Sequence, residues 1–192
     1  MGSGGSSDNG RKSAPPPPPM NDDNNNPPVD SRLPFPSFRD LFTLKNYWKT
    51  IRRNDKDCAK AMMYMYLTQN PDHTSKYPKF KNLSIADKEK MMADPAFENV
   101  AGAYLKVFDD VIAAVEDKPN DAQPACDRLI AVGKMHRAKV QGMDSGLFQA
   151  MEEPFLHMVG DVLQDRYNDK AENLFRKFYQ FCLKYLAEGY NS

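Results

Sequence analysis

The sequence predicts an all-α domain of six to eight helices, residues 35–192, behind a disordered N-terminal tail, residues 1–34. Three observations carry this. From Pro34 onward apolar residues recur at steps of three and four, and no stretch alternates convincingly at the strand period of two. Helix start signals punctuate the same region: Ser37, the pair Asp94-Pro95, Asp144, and Asp169 with Glu172. The tail holds a Gly/Ser opening, the run Pro15–Pro19, the tract Asn24-Asn25-Asn26 and almost no apolar side chains, too few to offset the entropy of ordering.

The elements follow in order. Ser37 can cap a first helix carrying Phe38, Leu41, Leu44, Trp48 and Ile51. A second helix runs from about Asp55 to Asn70 through Ala59, Met62, Met63 and Tyr66, and Pro71 opens a short helical turn. Asp94, followed by Pro95 at the first helical position, starts a helix with Phe97, Ala101, Tyr104, Leu105, Phe108 and Ile112 on one face. Pro119 closes it. Asn120 or Asp121 opens the next helix, which reaches about Lys139. Asp144 precedes a long helix with Phe148, Met151, Phe155, Val159 and Val162, which Pro154 should kink. Asp169 and Glu172 stand at capping-box spacing before a last helix through Leu174, Phe175, Phe178, Cys182 and Tyr185, with Gly189 as its stop.

Composition narrows the function classes. The 192 residues include 26 Lys+Arg and 26 Asp+Glu, so no excess positive charge argues for nucleic acid as a partner. No apolar run is long enough to cross a bilayer, and none opens the chain as a secretory segment. Cys58, Cys126 and Cys182 are few, odd in number and widely spaced, which fits a reducing cytoplasm and neither a disulfide framework nor a zinc site. Met1 to Ser6 match the N-myristoylation pattern at Gly2. One such chain gives weak membrane association, with K on the order of 10⁴ M⁻¹. Gly/Ser-rich openings also match this pattern by chance, and Arg11 and Lys12 add little charge. The Pro15–Pro19 run reads as a spacer or as a ligand for a proline-binding domain.

Several anchors, taken in order, resemble the globin family in its invertebrate, nematode-type form. Trp48 and Pro71 resemble the family's first-helix tryptophan and the proline of its third helix, at the family's separation. Tyr77-Pro78-Lys79-Phe80 falls where globins place two aromatics at the next corner. The helix from Pro95 resembles the distal helix. The segment Leu129 to His136, with Gly133 inside it, resembles the proximal helix, and the last two helices resemble those that close the pocket. The resemblance covers roughly Ser37 to Tyr190. It implies a globin-like fold around a pocket for haem b, with His136 as the proximal ligand to iron.

The chemistry fits these residue types. Haem iron takes a neutral imidazole, and the second ring nitrogen needs an acceptor such as a backbone carbonyl one turn back. Leu129, Val132 and His136 share one helical face, and Gly133 allows close approach by a neighbour. A lone His near a helix end is otherwise an exposed residue; the other anchors favour the ligand. His73 reads as solvated and His157 as a partly buried structural residue. By resemblance Val100 occupies the distal position that often holds His or Gln, and it can neither donate to oxygen nor ligate iron. Tyr104 lies one turn further on, and Tyr77 replaces a customary Phe. Either phenol can donate to a bound gas, or serve as an amphipathic core residue. Met63 faces the distal iron as a thioether sixth ligand or as flexible packing. Phe80, Val132, Phe148 and Met151 line the pocket, Lys79 and Lys139 meet the propionates, and the separation from Val100 to His136 implies an extended loop over 116–123.

Three functions fit. The leading one is a haem-binding globin that reversibly binds oxygen, or NO or CO. A second is a haem-based redox, electron-transfer or gas-sensing globin held at a membrane. A third is a haem-free interaction module of globin shape.

Overall fold

The computed structural model describes Met1 and residues 26–192. Among these residues every regular element is helical: α1 (Phe38–Arg52), α2 (Asp55–Gln69), α3 (Lys88–Ala93), α4 (Pro95–Asp117), α5 (Gln123–Lys139), α6 (Glu152–Leu163) and α7 (Asp169–Asn191), with short 3₁₀ stretches between several of them. The expected all-α class and helix number hold. The readings placed on Gly2, Arg11, Lys12 and the Pro15–Pro19 run lie outside the described residues. No helix among the described residues is long and apolar enough to cross a membrane.

The helix starts follow the sequence signals in part. Ser37 caps α1 by accepting from the Asp40 amide, and Asp94 caps α4 by accepting from the amides of Ala96 and Phe97. Two other ends differ. At the start of α5 the Asp121 carboxylate accepts 3.0 Å from the amide of Gln123, its first residue. Ala122 stands at its N-cap, and its amide donates 2.8 Å to the Asp30 carboxylate, a group 92 positions earlier in the chain. The α7 cap is Asn168, whose side chain accepts from the Ala171 amide; Asp169 stands inside the first turn, where its charge still suits the helix dipole.

Asp30 draws the start of the chain onto the fold. Its own amide donates to the Pro119 carbonyl, and Arg32 bridges Asp30 to the Gln123 side chain. Leu33 and Phe35 are buried in the core. Packing therefore begins ahead of residue 35. Hydrophobic patterning shows helical faces and not a short non-helical strap held by one carboxylate.

Asp144 caps a 3₁₀ stretch, Ser145–Met151, and α6 starts only at Glu152. Pro154 thus stands in the first turn of α6, where an amide proton has no intrahelical partner to lose. The chain breaks ahead of the proline in place of kinking at it. Glu152, the buried charged residue here, takes hydrogen bonds from Gln149, Gln180 (2.7 Å) and Arg176 (3.3 Å), which fixes the start of α6 on α7. The predicted loop over 116–123 shrinks to Lys118–Ala122, because α4 continues through Asp117.

The closest crossing joins α5 to α7. A Cβ on Gly133 would lie 2.2 Å from the Leu186 carbonyl oxygen, and one on Gly189 would lie 2.1 Å from the Ile130 carbonyl oxygen. Two glycines face each other so that two backbones touch. Gly189 is therefore no helix stop: α7 runs on to Asn191 and uses Gly189 for contact. Near the start of α7, Trp48, Phe108, Phe155, Phe175 and Phe178 form one aromatic core, with Trp48 also donating 2.8 Å to Asp109. Cys58, Cys126 and Cys182 are all buried free thiols.

Candidate functional site

The glycine crossing holds α5 against α7, and one turn after Gly133 stands His136. Its Nδ1 lies 2.9 Å from the Val132 carbonyl oxygen. A carbonyl only accepts, so Nδ1 carries the hydrogen and Nε2 keeps a free lone pair. Burial pushes the His136 pKa down, against a smaller upward effect of that hydrogen bond, so the neutral ring is favoured. Phe148 meets the imidazole edge-on at 5.3 Å between ring centres, and Tyr104 meets it at 6.2 Å from α4.

The imidazole borders a cavity of about 370 Å³ between α4 and α5, within the size range of cofactor and ligand sites. Its walls are largely apolar: Val107, Phe108, Val132, Met143, Leu147 and Met151 among them. Polar groups enter at few points. Lys76 and Arg128 also border it, and the Lys76 ammonium donates 2.7 Å to the Gly142 carbonyl. Tyr179 donates 2.5 Å to the Phe148 carbonyl, which fixes the segment that carries Phe148. A wider groove of about 610 Å³ lies elsewhere, bordered by Arg52, Lys56, Glu98 and Asp109, and no His, Cys or Tyr lines it.

Besides Tyr179, three phenols face the same cavity. The Tyr77 and Tyr104 hydroxyls are 2.7 Å apart. The Tyr66 hydroxyl lies 2.9 Å from His73 Nδ1. Burial pushes the Tyr66 pKa up to about 12 and those of Tyr77 and Tyr104 upward as well, so all three stay protonated. Tyr104 counts as half-exposed by surface area although it sits deep in the fold; the surface it shows belongs to the cavity wall.

The structure brings together Tyr77, Tyr104, Val132, His136 and Phe148 of the residues expected at the site, and Met151 with them. Met63 and Phe80 are fully buried and do not line the cavity; Phe80 stacks 5.0 Å behind Tyr77. Val100 is half-buried against the core, also outside the lining. Lys79 and Lys139 are exposed and away from it. His73 is half-buried and bonded, not simply solvated, whereas His157 is exposed and pairs with Asp161 at 3.1 Å. Sequence reasoning missed Tyr66, Lys76 and Arg128 as site residues. Arg128 was findable: it stands four and eight positions before Val132 and His136, on the same helical face. Tyr66 and His73 are separated by the Pro71 turn, so no single helical period links them.

The donor set fits a haem: a neutral imidazole with one nitrogen free, a largely apolar cavity wall, and cations at its border. No group of three or more His, Cys, Asp or Glu among the described residues is arranged to hold a bare metal ion. Comparison with known proteins agrees with this architecture. The sequence profile described as Globin matches residues 60–186. A hexacoordinated heme protein from an anhydrobiotic tardigrade superposes with a TM-score of 0.77 at 26% identity, covering 85% of this chain and 100% of that one. The hemoglobin of the botfly Gasterophilus intestinalis superposes at 0.68 with 13% identity, covering 80% and 98%, a likeness of fold alone. No curated protein matches by sequence comparison. The profile spans well over half of the chain, from α2 to α7, and the chain belongs to the globin family.

Proposed function

We propose that the chain binds haem b in the α4–α5 cavity, with His136 as the protein's ligand to iron, and that it takes up oxygen or another diatomic gas reversibly. The observation that carries this is the His136 Nδ1 to Val132 carbonyl hydrogen bond at 2.9 Å, which turns a neutral imidazole with a free Nε2 toward an apolar cavity. When bound, haem would supply an iron able to take a diatomic ligand.

The chain's own residues do the rest. The Val132 carbonyl sets the tautomer and holds the ring's rotation. Phe148 and Tyr104 confine the ring from two sides. Lys76 and Arg128 offer cations to carboxylates at the cavity border. The Tyr77 and Tyr104 hydroxyls are the hydrogen-bond donors nearest the space in front of His136; Val100 has none to offer. Met63 is buried outside the lining, so a thioether ligand finds no support in its position.

Absorption spectra test the reading. The full chain supplied with haem should show a Soret band that shifts on addition of carbon monoxide to the reduced protein. His136→Ala should lose most bound haem on gel filtration, and added imidazole should restore it in part. Undiminished haem in His136→Ala would refute the assignment, and no Soret band in the wild type would leave a haem-free module of globin shape.

A further inference from the structure

The cavity beside His136 differs in charge from other openings of this surface. Its border carries Lys76 and Arg128 and no Asp or Glu, in a chain whose charged residues balance at 26 of each sign. The groove at Arg52, the groove between α2 and α6 at Met65, and the groove along the strap at Leu33 each include at least one carboxylate. The phenols in the cavity wall have their hydroxyls engaged within the protein: Tyr66 with His73, Tyr77 with Tyr104, and Tyr179 with the Phe148 carbonyl. A ligand therefore meets mostly hydrocarbon along the wall and positive charge at the border. The two cations are not equivalent. The Lys76 ammonium donates to the Gly142 carbonyl. Arg128 donates to Asp110 through Nε at 3.0 Å, which leaves its two terminal amino groups side by side. That pair matches the two oxygens of one carboxylate. Arg128 stands about two helical turns ahead of His136 on α5, so this end of the cavity is separate from the imidazole.

We propose that the cavity takes a fatty carboxylate, with its tail along the apolar wall and its head group on Arg128. Val107, Phe108, Leu147 and Met151 face the tail. Met135, seven positions after Arg128 on the same helical face and 40% exposed, carries the apolar surface out to the mouth. Tail burial supplies the affinity: each methylene moved from water into hydrocarbon tightens binding about fourfold. The guanidinium supplies the preference for an ionised head over a neutral one, a preference weakened by its own partial exposure. Haem would claim the same apolar space, so the two ligands exclude one another. The inference goes beyond the haem reading and does not depend on it.

Calorimetric titration of the full chain without added haem tests this, with decanoate, dodecanoate and the neutral dodecanol as probes. Dodecanoate should bind about fifteenfold tighter than decanoate, for its two further methylenes. Arg128→Gln should weaken dodecanoate about tenfold and leave dodecanol within about twofold, a split that a merely structural role would not produce. Arg128→Lys should recover part of the loss. Ala103→Trp places an indole in the cavity from an exposed position of α4, so it should abolish uptake of dodecanoate and dodecanol alike while the helical circular dichroism stays unchanged. No uptake of dodecanoate by the wild type, equal affinity for decanoate and dodecanoate, an unchanged dodecanoate affinity in Arg128→Gln, or undiminished uptake in Ala103→Trp would overturn the proposal. Dodecanoate uptake by a chain that takes up no haem would sink the haem reading alone. Haem uptake by a chain that takes up no dodecanoate would sink this proposal alone.

Discussion

Replacing Gly133 with alanine should break the α5–α7 crossing. The added Cβ would stand 2.2 Å from the Leu186 carbonyl oxygen, 2.7 Å from the Tyr190 nitrogen and 3.0 Å from the Gly189 carbonyl carbon. Ordinary contact begins at 3.4 Å, so the nearest atom is about 1.2 Å too close. All three neighbours are backbone, and none can swing aside as a flexible side chain would. The helices must part, which exposes the apolar surface packed beside them. Overpacking of this kind costs about 3 kcal/mol, the upper end of the usual range. For a domain of this size that lowers the melting temperature by about 6–12 °C. Urea unfolding followed by far-UV circular dichroism would report it as a lower midpoint at unchanged slope. Gly102→Ala is the control. A Cβ there meets nothing within 4 Å, and the residue lies inside α4, so alanine should stabilise by about 0.5–1 kcal/mol. Because each glycine faces the other helix's backbone, Gly133→Ala and Gly189→Ala should be less damaging together than their separate effects imply. A loss under about 0.5 kcal/mol for Gly133→Ala would refute the argument, since unremarkable surface changes fall in that range.

Other perturbations have defined outcomes. Asp30→Ala should destabilise the fold by about 1 kcal/mol through loss of the acceptor for the Ala122 amide ahead of α5, measured by the same unfolding assay, with amide exchange rising first at Ala122. Arg176→Met leaves Glu152 buried with only its two glutamine donors, and should cost about 1–2 kcal/mol because the guanidinium is itself partly exposed. Burial places the native pKa of His136 below the unfolded value of about 6.5, so the unfolded chain takes up the proton more readily. Its contribution to haem-free stability is then complete above about pH 6.5 and is lost as the pH falls. The stability difference between wild type and His136→Gln, measured by urea titrations from pH 7.5 to 5, should shrink on the acid side; a flat difference would contradict the burial of that ring.

What the sequence made readable, and what it hid, divides along physical lines. Helical faces such as Phe97, Ala101, Leu105 and Phe108 are written in the order of residues, because a face is a local period. The Ser37 and Asp94 caps were readable for the same reason: donor and acceptor lie three residues apart or fewer. The acceptor for the Ala122 amide was not, because Asp30 arrives from 92 positions away. Gly189 carried two meanings in one letter, helix stop or close approach, and only the facing α5 backbone decides between them. At the site, Val132, His136 and Phe148 followed from a face and a resemblance. Tyr66 and His73 did not, since their partnership passes through a turn whose geometry no period encodes. Met63 and Phe80 fell outside the cavity lining because a one-dimensional register gives the side of a helix but not its depth behind Tyr77 and its neighbours.

The strap at Asp30 bears on where this chain can be trimmed. A cut made at residue 35, where helical patterning begins, would remove the carboxylate that holds the Ala122 amide ahead of α5 and the buried Leu33 with it. The shortened protein would keep every helix, yet the helix carrying His136 would lose the tie that fixes the residue before its first turn. A cut ahead of Val29 keeps that seam closed, and a fusion partner joined there would emerge beside the turn between α4 and α5.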